Sequence, residues 1–275
     1  MDIEMAVMVH TKKIQKLENR LQELGPFAVA FSGGVDSSFL LAVAKKIKPE
    51  KLIAFTVSSA FVPIREIECA KKMALSLKVD HICLALDILR NEHVVQNTKD
   101  RCYHCKKQVF SLIRDAAEKH GITSLLHAVN RDDLKDFRPG LKAADELGFL
   151  SPLAEAGFTK KEIRESSRQL LLETWDKPSQ SCLATRIPYH VKINQADLTR
   201  VDQAEAFLQS LGFAQVRVRC RGKNATIEVE PDLVKVILEK GMGRDIVKAL
   251  EGFGFETVII DREGYKTGKM NHEIF

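Results

Sequence analysis

Phe27-Ala28-Val29-Ala30-Phe31-Ser32-Gly33-Gly34-Val35-Asp36-Ser37-Ser38 is the stretch that decides the architecture of this chain. Its apolar half lies between Gly25-Pro26 and Ser32-Gly33-Gly34, so it reads as a buried strand running into a tight turn. Upstream, Ile14, Leu17, Leu21 and Leu24 recur at helical spacing over 12–24; downstream a helix is predicted over 37–48. Strands at 52–58, 80–86 and 123–129 then alternate with helices at 63–78, 103–119 and 159–172. Alternating strands and helices predict an α/β fold, a doubly wound parallel sheet with helices on both faces.

The pattern breaks after 172. Residues 174–194 (TWDKPSQSCLATRIPYHVKIN) have no clean period and hold two prolines, which marks a connection. Beyond it come a helix at 195–211, strands near 215–220 and 224–230, helical turns to 251 and a strand at 255–260, a smaller C-terminal α+β domain. The expected organisation is a nucleotide-binding domain over 1–180, a connecting loop over 181–194 and the small domain over 195–275.

Composition narrows the setting. The chain has 275 residues, 45% hydrophobic, with a net charge of +5 spread along its length, which favours an anionic ligand only weakly. No apolar run approaches the roughly 18 residues of a membrane span, and the N-terminus has no signal-peptide core. A cytoplasmic, reducing location is therefore expected. There, six cysteines point to core packing, metal binding or catalysis rather than disulfides.

The turn after the first strand carries the sharpest chemistry. Gly33 and Gly34 let the backbone approach a ligand, and amides at the start of the following helix form an anion cradle. Ser32, Ser37 and Ser38 add hydroxyls, and Asp36 is placed to hold Mg²⁺. No lysine follows the glycines as in a Walker loop, which disfavours a kinase or GTPase. Ser32-Gly33-Gly34-Val35-Asp36-Ser37 resembles the PP-loop of the adenine-nucleotide α-hydrolase superfamily. That resemblance implies ATP, cleaved between its α- and β-phosphates, with adenine at the end of the second strand, Thr56 to Ser59, where Thr56 and Ser58 are the candidates.

Three cysteines stand apart from the rest. Cys69, Cys83 and Cys220 lie in regular, partly apolar segments and read as small core residues. Cys102-Tyr103-His104-Cys105 opens a helix, where the helix end and nearby cations lower thiol pKa, and Cys182 lies in an irregular loop. Three thiolates suit a 4Fe–4S cluster with one open iron; zinc with His104, a redox CxxC and three unrelated thiols are the alternatives.

Asn130-Arg131-Asp132-Asp133 and Asp136-Phe137-Arg138-Pro139-Gly140 form a polar constellation too dense for an ordinary turn. Asp132, Asp133 and Asp136 are candidates to hold Mg²⁺ or order the loop, and Arg138 to grip a phosphate or carboxylate. Arg101 and Arg186 flank the cysteines as candidates for the α-phosphate or a substrate acid. Arg217, Arg219 and Arg221 alternate, so they project from one strand face and invite an anion such as a mononucleotide phosphate.

Taken in order, SGGVDS, CYHCKK, NRDD with DFRPG, SPLAEAGFTKKEIR (151–164) and SCLATRIPY (181–189) resemble the ATP-dependent sulfur transferases of the LarE family, over nearly the whole chain. The resemblance implies nickel-pincer cofactor biosynthesis: a carboxylate of a pyridinium mononucleotide is adenylated and AMP is replaced by sulfur. It puts Glu205, on the helix before the arginine strand, in the substrate region with Arg217 and Arg219. Beside it, Arg101, Asn130, Asp133 and Arg138 are the candidates for ATP and Mg²⁺ and Arg186 for the substrate. Some members sacrifice the sulfur of one cysteine at the position of Cys182; Cys102, Cys105 and Cys182 together match the kind that carries a 4Fe–4S cluster. The expected partners are a small-molecule mononucleotide, a sulfide or other sulfur donor and further copies of the chain, with neither membrane nor nucleic acid. A tRNA thiolation enzyme and a non-catalytic adenine-nucleotide-binding protein are the rival functions.

Overall fold

The structure, a computed structural model, describes residues 3–135, 139–239 and 242–266. In chain order the elements are α1 (Ile3–Glu23), β1 (Phe27–Ala30), α2 (Val35–Lys46), β2 (Leu52–Ser58), α3 (Ile64–Ser76), β3 (Asp80–Ala85), α4 (Glu92–Val95) and α5 (Arg101–Lys119). They continue as β4 (Ser124–His127), α6 (Pro139–Glu146), β5 (Phe149–Leu150), α7 (Pro152–Glu155) and α8 (Lys160–Gln169). The remainder comprises α9 (Gln195–Ser210), β6 (Val216–Arg221), β7 (Asn224–Val229), α10 (Pro231–Glu239), α11 (Met242–Gly252) and β8 (Thr257–Ile260).

Two compact units emerge. One comprises the chain up to Ser59, Ile64–Leu86 and Cys102–Ser179; the other takes Ala60–Pro63, Asp87–Arg101 and the chain from Gln180 onward. The second unit thus draws two segments from the first half of the sequence, which no local composition shift marks.

The first unit holds a five-stranded parallel sheet in the order β3-β2-β1-β4-β5. Alternation along β1 divides its core in two. Phe27 and Val29 pack with Leu17, Leu21, Phe39, Met73 and Phe158 on one face; Ala28 packs with Phe55, Phe110, Ile113 and Phe149 on the other. Helices therefore cover both faces, as the alternating pattern predicts. The sequence reading overlooked α6 and the two-residue β5, which are too short to show a period. β1 lies between β2 and β4, so the order reverses beside its carboxyl end, where open α/β sheets bind ligands.

In the second unit β6 pairs antiparallel with β7, and β7 pairs parallel with β8. Val216, Val218, Ala225, Ile227 and Val229 are buried, and α9 packs on β6. The expected "helical turns" before the last strand are the helices α10 and α11, the crossover that a parallel β7–β8 pair requires.

The core assignment of two cysteines is corrected. Cys220 is buried, but Cys69 and Cys83 are exposed. The buried positions of α3 are Ile67, Ala70, Met73 and Ala74, which leaves Cys69 on the outer face. β3 is an edge strand, so its alternation does not bury Cys83. No helix among the described residues is long and apolar enough to cross a membrane.

Candidate functional site

The phosphate loop sits at the carboxyl end of β1. Gly33 has φ +68, and a Cβ there would lie 2.9 Å from both Cα and Cβ of Ala70, so α3 approaches too closely for any side chain. Gly34 is the N-cap of α2 and has no side chain to cap it, so the first-turn amides remain directed at the loop. Ser32 Oγ is 3.1 Å from Ser37 Oγ, and Ser37 Oγ donates to Gly34 O at 3.2 Å. Ser38 departs from the expectation: it is wholly buried, and its hydroxyl has no hydrogen-bond partner among the described residues.

Asp36 is the focus of the polar groups. Asn130, just beyond the end of β4, donates from Nδ2 to Asp36 Oδ1 at 3.2 Å, which joins the two strands where their order reverses. Asn130 Oδ1 accepts from the amides of Asp132 (2.8 Å) and Asp133 (3.1 Å), and Asp133 Oδ2 accepts from the Asn130 amide at 3.1 Å. Asp132 Oδ2 accepts from the amide of Lys160 at 2.9 Å. Asp132 and Asp133 therefore order the turn, and Asp36 is the carboxylate presented at the loop. Asp136 and Arg138 lie outside the described residues.

Two lysines that sequence reasoning missed complete this site. Lys160 Nζ donates to Asp36 Oδ2. Its placement follows from local chemistry: Thr159 and Glu162 form a reciprocal capping box that starts α8 at Lys160. Lys13 reinforces the box, reaching Glu162 Oε1 at 2.7 Å. Burial pushes the Glu162 carboxyl up, but hydrogen bonds from Lys13 and Thr159 outweigh it and hold it below the usual range. Lys177 Nζ donates to Gly33 O at 3.2 Å and to Glu66 Oε2 at 2.8 Å. Lys160 and Lys177 stand 124 and 144 residues from their loop partners, a separation that carries no local signal.

At the end of β2, Thr56 is buried and committed. Its hydroxyl donates to Phe31 O at 2.7 Å, so it must accept from His81 Nε2, 2.8 Å away. Burial, with the nearby Lys71 charge, pulls His81 below its ordinary pKa, consistent with a neutral ring. Ser58 is half-buried at the strand end.

An uncapped helix start, a glycine pressed against α3 and a carboxylate already holding an ammonium fit a pyrophosphate with its Mg²⁺. The loop would take the phosphates and Asp36 the cation.

The cysteines divide between the units. Cys102 and Cys105, half-buried, are three apart in the first turn of α5 and share one face. A Cβ on Gly140 would lie 2.8 Å from Lys106 Cγ and 3.6 Å from Cys102 O, so α6 starts close against that turn. Cys182, also half-buried, precedes a 3-10 turn over Leu183–Arg186 in the second unit. Among the described residues no group of three or more His, Cys, Asp or Glu is gathered to hold a metal ion.

In the second unit Arg186 and Glu205, each 1% exposed, face one another: Nε to Oε1 at 2.7 Å and Nη2 to Oε2 at 2.9 Å. Arg101, also buried, donates to Asn97 Oδ1 and to Ala184 O at 3.1 Å. Arg219 reaches Glu228 Oε2 at 2.9 Å and Thr185 O at 2.8 Å. Arg217 is buried, donates to Gln180 Oε1 at 3.2 Å and lies over the Tyr265 ring. Burial, then the Arg186 charge, lowers its pKa to about 10, so it stays charged at neutral pH. Arg221, at the end of β6, is exposed.

Residues 15–126 match the asparagine synthase family. An uncharacterized protein of Synechocystis sp. is 36% identical over 94% of this chain and 97% of its own length. One of Methanocaldococcus jannaschii is 34% identical over 94% of this chain and all of its own. The pyridinium-3,5-bisthiocarboxylic acid mononucleotide synthase of Lactiplantibacillus plantarum is 32% identical over 91% of both chains. With that extent of identity, and with the phosphate loop at the switch point of a doubly wound sheet, the chain belongs to the LarE family of PP-loop sulfur transferases.

Proposed function

We propose that this enzyme adenylates a carboxylate of a pyridinium mononucleotide and exchanges the resulting AMP for sulfur, as a step in making a nickel-pincer cofactor. The observation that carries the adenylation is the loop itself: Gly33, Gly34 and the start of α2 offer amides to phosphate, while Asp36, Lys160 and Lys177 supply a cation site and two positive charges. A carboxylate oxygen attacks the α-phosphorus, the bond to the bridging oxygen of the β-phosphate breaks, and pyrophosphate leaves held by the loop. The acyl carbon, now bonded to a good leaving group, accepts a sulfur nucleophile and releases AMP, leaving a thiocarboxylate. The name of the Lactiplantibacillus plantarum relative supports the choice of acid.

Cys102, Cys105 and Cys182 belong to the sulfur step in this proposal, as ligands of a 4Fe–4S cluster that would supply a transferable sulfide when bound. The shared face of Cys102 and Cys105 supports two of the three ligands, and the resemblance to three-cysteine members supports the third. Arg217 and Arg219 are proposed for the substrate phosphate. Burial and the Arg186 charge weaken proton binding by Arg217, and an arriving anion would offset them by stabilising the guanidinium.

The test is pyrophosphate release by the anaerobically reconstituted chain with MgATP and sulfide, with and without the pyridinium biscarboxylic acid mononucleotide. Release that depends on the acid, with a product in which sulfur replaces a carboxylate oxygen by mass, is expected. Release that depends instead on tRNA would replace the substrate assignment, and no release with either would reduce the protein to a nucleotide binder.

A further inference from the structure

The segment that carries Cys182 is short and irregular. The 3-10 turn behind it is four residues long; its own bonds are Thr185 N to Cys182 O at 3.0 Å, Thr185 Oγ1 to Cys182 O at 2.8 Å, a Ser181 Oγ–Thr185 Oγ1 contact at 3.1 Å and Ile187 N to Ala184 O at 3.3 Å. Such turns have poor hydrogen-bond geometry and rarely persist alone. Arginine side chains, one of them at the end of the turn itself, add to these bonds. Arg186 Nη1 has four acceptors around it: Ser181 O at 3.0 Å, Ser181 Oγ at 2.7 Å, Cys182 O at 3.1 Å and Thr185 Oγ1 at 2.8 Å. Arg101 holds Ala184 O and Arg219 holds Thr185 O. On the opposite side the Leu183 amide donates to Phe61 O at 2.9 Å.

The guanidinium groups are themselves anchored. Glu205 takes Nε and Nη2 of Arg186, and its Oε1 also accepts the Val218 amide of β6 at 2.9 Å. Glu228 fixes Arg219, while Asn97 and the Tyr189 ring fix Arg101. With one edge of its fork on Glu205 and the other on the Ser181–Thr185 backbone and hydroxyls, Arg186 presents no surface to a substrate.

We propose that Arg186, with Glu205 as its counter-ion and Arg101 and Arg219 beside it, is a positioning residue that sets where the Cys182 thiol points. This deepens the sulfur-transfer function, resting on a role for Cys182 there, and it gives Arg186 and Glu205 a task other than binding the substrate.

The test uses the full-length protein with Arg186→Lys and Glu205→Gln, labelled with iodoacetamide and read by peptide-resolved mass spectrometry. The exposed Cys69 and Cys83 serve as references and the buried Cys220 reports loss of fold. A loosened turn should change the Cys182 labelling rate on the order of tenfold, upward, with Cys69, Cys83 and Cys220 unchanged. In turnover, kcat should fall with the KM for the acid held, the pattern of a group that acts through another. An unchanged Cys182 rate, or a raised acid KM with normal labelling, overturns the proposal and returns Arg186 to the substrate. If Cys220 labels as well, Arg219→Lys, at a side chain 22% exposed, is judged by the Cys182 labelling rate alone, because Arg219 is also proposed for the substrate phosphate: a raised rate supports the clamp and an unchanged one overturns it. Labelling needs no turnover, so a wild-type protein that releases no pyrophosphate would refute the proposed activity while leaving the clamp to be decided.

Discussion

The ammonium of Lys160 donates to Oδ2 of Asp36, the carboxylate at the mouth of the phosphate loop. If Asp36 holds Mg²⁺ when MgATP is bound, Lys160 would be released to pair with a phosphate oxygen. Asp36→Ala should abolish pyrophosphate release with the fold intact. Lys160→Ala should slow it by about 100-fold, the scale of losing one group that stabilises developing charge. A coupled pyrophosphate assay with circular dichroism on the same samples checks both, and undiminished turnover in Asp36→Ala would remove the loop from the mechanism.

Gly33 and Gly25 separate strain from close approach. Both have positive φ, +68 and +66, but a Cβ on Gly25 meets nothing within 4 Å while one on Gly33 meets Ala70 at 2.9 Å. Gly25→Ala should cost about 1 kcal/mol from backbone conformation alone. Gly33→Ala should cost roughly 2–4 kcal/mol, because α3 must shift as well, and should weaken ATP binding. Urea unfolding of the two variants measures the difference; equal losses would mean that the contact with α3 does not matter.

His127 closes β4 with Nε2 2.6 Å from Ser151 Oγ, and burial, then the Lys106 charge, lowers its pKa from 6.5 to about 4. The unfolded chain therefore binds more protons than the native one between those values. The contribution is fully present above pH 6.5 and is lost as pH falls towards 4, by up to about 3 kcal/mol. His127→Gln keeps a hydrogen-bonding side chain without the titration, so its stability should fall less between pH 7 and pH 4. Parallel wild-type and variant curves from denaturant unfolding would contradict this.

Cys102, Cys105 and Cys182 should behave as a set if they hold a cluster. After anaerobic reconstitution, replacing any one should remove iron, visible absorption and sulfur transfer together, because two thiolates hold such a cluster poorly. Intact-protein mass should stay constant through turnover. A loss equal to one H₂S after a single turnover, or full activity in a Cys102→Ala, Cys105→Ala double variant, would show that Cys182 gives up its own sulfur.

The sequence alone determined the doubly wound sheet, because FAVAF is a short apolar run bounded by turn residues and strands at 52–58, 80–86 and 123–129 alternate with helical segments. It also determined the phosphate loop, since Gly33 and Gly34 after a buried strand express backbone requirements that act over a few residues. Only the tertiary structure decided which charges meet the loop and which meet each other. Lys160 and Lys177 reach it from far along the chain, and Arg186 and Glu205, alike in sequence to exposed ligand-binding groups, are buried against each other. Ser38, beside Ser37 in the motif, is wholly buried, and its hydroxyl has no hydrogen-bond partner among the described residues. Local periodicity fixes elements and turns, whereas the pairing of charges depends on which elements meet, and that is settled only when the chain has folded.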